Sequence, residues 1–154
     1  MLDKTIKDLE HAINKGRISQ AHVRLISLLK KYPSDSRILT LTAHVSALMG
    51  NYQVAKSIAS KASILNRSDK KARYVLGFSL QRLGKYNEAV DVYRQIVESV
   101  PTSAVAHYFL AESLESAGEA VDACYAYQEA AQLDKEGDLK KIAEKKIAEI
   151  KKSL

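Results

Sequence analysis

A reactive or metal-binding centre in this chain would have to be built from His11, His22, His44, His107, Cys124 and the pair Glu112 and Glu115. The histidines lie far apart along the chain, with no HExxH and no two of them one helical turn apart, so the spacing that places two imidazoles on one metal ion is missing. Cys124 is the only cysteine, which excludes an intrachain disulfide and a thiolate cluster, and no positioned base accompanies it. Glu112 and Glu115 stand one turn apart, but acid–base work needs one carboxyl in an apolar setting that raises its pKa. The surrounding sequence builds no such pocket. The six glycines form no phosphate-cradling loop. The expectation is therefore no catalytic residue, no metal and no cofactor: the chain is not an enzyme, and its chemistry is that of a surface.

That surface must be positioned by a compact fold. The 154 residues are 46% hydrophobic and 27% charged, too apolar and too mixed in charge for a disordered tail. No run approaches the ~18 apolar residues of a membrane-spanning helix, and the opening MLDKTIKDLE has no apolar leader core. A reduced, cytoplasmic protein of one domain, residues 1–154, is expected, with the sequon at Asn66-Arg67-Ser68 unused.

The organisation comes from a repeat. Gly16, Gly50, Gly84 and Gly118 are 34 residues apart each time. Ala21, Ala55, Ala89 and Ala123 follow them in step, as do Leu28, Ala62, Ile96 and Ala130, while Leu9, Ala43, Gly77 and Ala111 precede them. A repeat of this length is one supersecondary unit that buries its apolar face only against its neighbours. Residues 70–83 place Tyr74, Leu76, Gly77, Leu80 and Leu83 at helical spacing. Gly84 breaks that helix, a second helix follows over 86–99, and Pro101 stops it because proline cannot continue the hydrogen-bond ladder. Gly77 and Ala89 are small so that helix backbones can approach, and Ser103 is placed to cap the helix beginning at Ala104.

Four such hairpins (2–35, 36–69, 70–103, 104–137) leave residues 138–154, an amphipathic helix with Leu139, Ile142, Ala143, Ile147, Ile150 and Leu154 on one side. A stack of hairpins exposes its last apolar face, and a helix with a polar outer side closes it. Nine helices are predicted.

The stretch 74–101 resembles a tetratricopeptide repeat (TPR) through Leu76, Gly77, Gly84, Tyr86, Ala89, Tyr93 and Pro101. Residues 108–133 resemble it through Leu110, Ala111, Gly118, Ala123, Tyr127, Ala130 and Leu133, and the second period through Ala43, Gly50, Tyr52, Ala55 and Ala62. The first period departs most, with Asp8 where the motif has leucine, and no period carries the motif's tryptophan. The resemblance covers almost the whole chain. It implies an all-α, right-handed superhelix, an α-solenoid of four hairpins plus a capping helix. It also implies a concave groove, lined by the first helix of each hairpin, that holds peptides or partner helices.

Carried onto this chain, that groove places Arg37, Lys71, Tyr74, Phe78, Arg82, Tyr108 and Glu112 as the partner-binding residues, aromatic and basic at its middle. Phe78 could equally pack between hairpins, whereas Tyr52, Tyr86, Tyr93, Tyr125 and Tyr127 are expected to pack. Rings and arginines anchor interfaces because they bury large areas at low entropic cost. An extended protein or peptide segment with acidic and apolar side chains would suit such a groove. Family members that clamp the carboxylate tail of heat-shock chaperones use Lys, Asn, Asn, Lys and Arg. Here those places hold Ile6, Glu10, Leu41, Lys71 and Val75, so a chaperone tail is disfavoured.

The net charge of +6 is unevenly placed: the first three periods and the last helix each carry +3, and the fourth period carries −6. Lysines and arginines are spread rather than clustered, and no helix-turn-helix or zinc signature appears, which argues against nucleic acid. The reading is an interaction adaptor or scaffold. Two alternatives are a homo-oligomeric scaffold that pairs acidic with basic repeats, and the interaction domain of a larger enzyme or secretion-chaperone system.

Overall fold

A computed structural model describes residues 1–154 as nine α-helices: α1 (Leu2–Asn14), α2 (Ile18–Lys31), α3 (Ser36–Leu48), α4 (Tyr52–Leu65), α5 (Lys70–Arg82), α6 (Tyr86–Ser99), α7 (Ala104–Ser116), α8 (Ala120–Leu133) and α9 (Asp138–Ser153). Every period carries a first helix of 13 residues and a second of 14. The turn between them has one form. At Gly50 (φ 80°) and Gly118 (φ 86°) the chain enters the left-handed region that a Cβ disfavours. The next amide then reaches back over the helix end, Asn51 N to Ser46 O at 2.9 Å and Glu119 N to Leu114 O at 2.9 Å. This arrangement satisfies carbonyls that the helix itself leaves unpaired.

The helix starts repeat as well. Asp35, Asp69 and Ser103 stand 34 residues apart, and each side chain accepts a backbone N–H of the following helix. Asp69 does more than cap. Its Oδ1 accepts from Ala72 N at 3.1 Å and its Oδ2 from the buried hydroxyl of Thr40 at 2.6 Å, tying α5 to α3. Removing a cap costs ~1 kcal/mol, and stranding a buried hydroxyl adds ~1–3 kcal/mol. Asp69→Ala should therefore destabilise the protein by about 2–3 kcal/mol in denaturant unfolding, with Asp69→Asn recovering most of the loss. An alanine variant as stable as the parent would contradict the double role.

The helices gather into two compact units, Met1–Leu83 and Gly84–Leu154. In the first, Leu9, Leu25, Ile38, Leu41 and Val45 form one core cluster, and Ala43, Ala47, Ala55, Ala59 and Val75 a second. Alanine at these positions lets helices pack at short range, the role expected of the small-residue columns. Asp8 replaces an apolar residue of the repeat, and a cavity of about 340 Å³ opens beside it, lined also by Ala12, Gln20 and Arg24. In the second unit Ala111, Ala123 and Ala130 occupy the small columns, with Tyr93, Ile96 and Tyr127 filling the space between helices.

The last helix differs in part from its expected packing. Ala143 and Ile150 are buried and Leu139 and Ile147 half-buried, but Ile142 and Leu154 are exposed. The contact stripe of α9 is narrower than its apolar stripe, and Leu154 lies beyond the helix end. No helix is long and apolar enough to cross a membrane.

Candidate interaction surface

Lys71, Tyr74, Phe78 and Arg82 recur along α5 at helical spacing and so share one face. Lys71 and Arg82 are exposed, Tyr74 is half-buried, and Phe78 keeps 38% of its surface open. Beneath them is a residue that the sequence assigns to packing alone. Tyr52, the first residue of α4, meets Phe78 edge-on with ring centroids 6.0 Å apart, and the Arg82 guanidinium lies 5.2 Å over the same Tyr52 ring. The start of α4 lies beside the end of α5, so a tyrosine just after the turn glycine reaches this face. The result is a ring–ring–cation stack with Lys71 further along the helix.

Arg37 and His44 add less positive charge than their types suggest. The Arg37 guanidinium donates to Asp3 at 2.6 Å and to Asp35 at 2.8 and 3.1 Å. Hydrogen bonding to Arg37 holds the Asp35 carboxyl below its usual range, and the same bonds hold Arg37 more firmly protonated. His44, half-buried, is pushed towards the neutral form first by burial and then by the charge of Lys71. Its Nδ1 is buried without a hydrogen-bond partner.

Tyr108 and Glu112 lie in the second unit, one turn apart on α7. The two are coupled. Burial, then the charge of Glu112, pushes the Tyr108 phenol up to about 12. Burial raises the Glu112 carboxyl, with the Tyr108 hydrogen bond and the charge of Lys146 pulling the other way. Next to them Tyr127 Oη donates to Glu115 Oε2 at 2.6 Å, and Lys146 Nζ lies 3.5 Å from the same oxygen. Glu115 thus joins α7 to both α8 and α9. Repeat periodicity cannot pair residues from three helices, so this brace was hidden in the sequence, as was the half-burial of Glu112. No cluster of histidine, cysteine and acidic side chains is arranged to hold a metal ion.

A carboxyl whose pKa is raised by folding is held protonated longer in the native state than in the unfolded chain. Glu112 therefore leaves stability untouched below its ordinary pKa and removes it as pH rises through the native value. Glu112→Gln should raise the melting temperature at pH 7 by a few degrees and leave it unchanged at acid pH. Thermal unfolding at both pH values checks this; a destabilised variant at pH 7 would show that the carboxylate earns its place.

Residues 22–96 match the family model described as anaphase-promoting complex (cyclosome) subunit 3, and residues 74–138 match a tetratricopeptide-repeat model. No curated protein matches the chain. Among solved structures, MamA (residue 41 to its end) from Desulfovibrio magneticus RS-1 is 21% identical with a TM-score of 0.79, over 97% of this chain and 93% of that one. MamA of strain AMB-1 is 20% identical with a TM-score of 0.79, over 96% and 84%. PcrH from Pseudomonas aeruginosa is 18% identical with a TM-score of 0.70, over 75% and 91%. At these identities the likeness is one of fold. With the 34-residue period, the repeated glycine turns and the nine helices, these matches make the chain a member of the tetratricopeptide-repeat family, built as a protein-interaction scaffold.

Proposed function

We propose that the protein is an adaptor whose α5 face binds an extended segment of a partner protein carrying carboxylates interleaved with apolar side chains. The observation that carries this reading is the stack of Phe78, Tyr52 and Arg82 beside Lys71. Phe78 is large, apolar and partly open, and its ring is held in place by Tyr52, so little freedom is lost when a partner side chain packs on it. Lys71 and Arg82 flank it as cations for the partner's carboxylates. Arg37, already engaged by Asp3 and Asp35, contributes at one end as a shared cation. Tyr108 and Glu112 are proposed as the equivalent first-helix contacts of the second unit, where the ring, rather than the carboxyl, meets an acidic segment.

Affinity capture tests this reading. A partner held by the native protein and lost by Phe78→Ala/Arg82→Glu, with both proteins equally helical, supports it. Capture of the same partners by both proteins contradicts it.

A further inference from the structure

We propose that the protein also associates with copies of itself, through α8 of one molecule docked on α2 of another. The exposed face of α8 carries Val121 (57% open) and Tyr125 (65% open), flanked by Asp122 and Glu129. The exposed face of α2 carries Val23 (70% open) and Ile26, flanked by Arg24, Lys30 and Lys31. Helix α8 contains no basic residue and helix α2 no acidic one. Apolar side chains grouped on an open surface and rimmed by polar ones mark an interaction site.

The two faces fit each other in shape as well as charge. A shallow, apolar depression on α2 is lined by Ser19, Gln20, Val23, Arg24 and Ser27, where the two serines leave room for a ring. Tyr125 is the ring that α8 offers. With Tyr125 seated there, Asp122 and Glu129, one turn to either side, face the cations around Val23. The second copy is the occupant that the charges select: the fourth period holds −6 and the first +3 of the same chain. Donor and acceptor faces differ, so the contact is heterologous, and each added copy leaves one face of each kind to fill unless a ring closes. The surface is separate from the α5 face, and Phe78→Ala should leave self-association unchanged.

A charge exchange read by sedimentation velocity at low ionic strength tests the proposal. The native protein should sediment as species larger than one chain, and these should shrink at 1 M salt, where the Debye length falls to ~3 Å. Asp122→Lys/Glu129→Lys should weaken association roughly tenfold or more, and Arg24→Glu/Lys30→Glu should do the same. An equal mixture of the two variants should restore it, because reversed α8 then meets reversed α2 and native α8 meets native α2. Tyr125→Ala, which leaves every charge in place, should also weaken it, with helicity by circular dichroism unchanged. A native protein that stays a single chain, assemblies indifferent to both reversals, or a mixture that fails to recover would each overturn the proposal.

Discussion

Tyr127→Ala should cost the second unit about 3–5 kcal/mol, the range for deleting a fully buried aromatic side chain. Tyr127 has no exposed surface and packs against the Tyr108 ring with centroids 5.6 Å apart. Its hydroxyl donates to Glu115, which also holds Lys146 of α9. Alanine would therefore open a cavity, remove the donor from a half-buried carboxylate and loosen the last helix from its hairpin. Tyr127→Phe separates these effects. It keeps the packing and loses only a hydrogen bond to a charged acceptor, for ~1.5–3 kcal/mol. Denaturant unfolding measures both, and hydrogen exchange should place the loss in α7, α8 and α9 because repeat arrays are stabilised through nearest neighbours. An alanine variant no less stable than the phenylalanine variant would refute the packing part of this account.

Lys71→Glu with Arg82→Glu should lower affinity for an acidic, apolar segment by about a hundredfold or more, since reversing a charge both removes an attraction and adds a repulsion. Both side chains are exposed, so the fold should survive; the stability cost is confined to the Arg82–Tyr52 contact, ~0.5–1 kcal/mol at an exposed site. Phe78→Ala should weaken the same complex without changing its salt dependence, because its part is apolar. Raising the salt should weaken binding to the native face and, by screening the added repulsion, strengthen the remnant binding of the doubly reversed protein.

The fold was legible because the period is strict. Glycine at every thirty-fourth place announces the turns, and the backbone takes a positive φ at each. Columns also sort inside from outside. Leu25, Ala59, Tyr93 and Tyr127 share one column and are all fully buried, while Val23, Ser57, Asp91 and Tyr125 share another and are all exposed. Tyr125 is expected to pack from its place on a second helix, but it is exposed: its column lies two residues before Tyr127, on the other side of α8. Tyr86 is exposed too, although Ile18, Tyr52 and Ala120 of its column are half-buried. The contacts that define the sites were less legible. Asp69 with Thr40, Glu115 with Lys146, and Tyr52 with Phe78 join residues from different periods or different helices, and a period says nothing of such cross-links. Arg37 shows the same limit: its type suggests a cation waiting for a partner, and its neighbours Asp3 and Asp35 already hold it.

The central claim is that the α5 face reads carboxylates set among apolar side chains. Selection of random peptides displayed against the native protein, repeated with Lys71→Glu/Arg82→Glu, tests it most directly. Peptides that alternate Asp or Glu with apolar or aromatic residues should be enriched on the native protein, and that enrichment should be lost on the variant. Enrichment of basic peptides, or of the same peptides on both proteins, would contradict it.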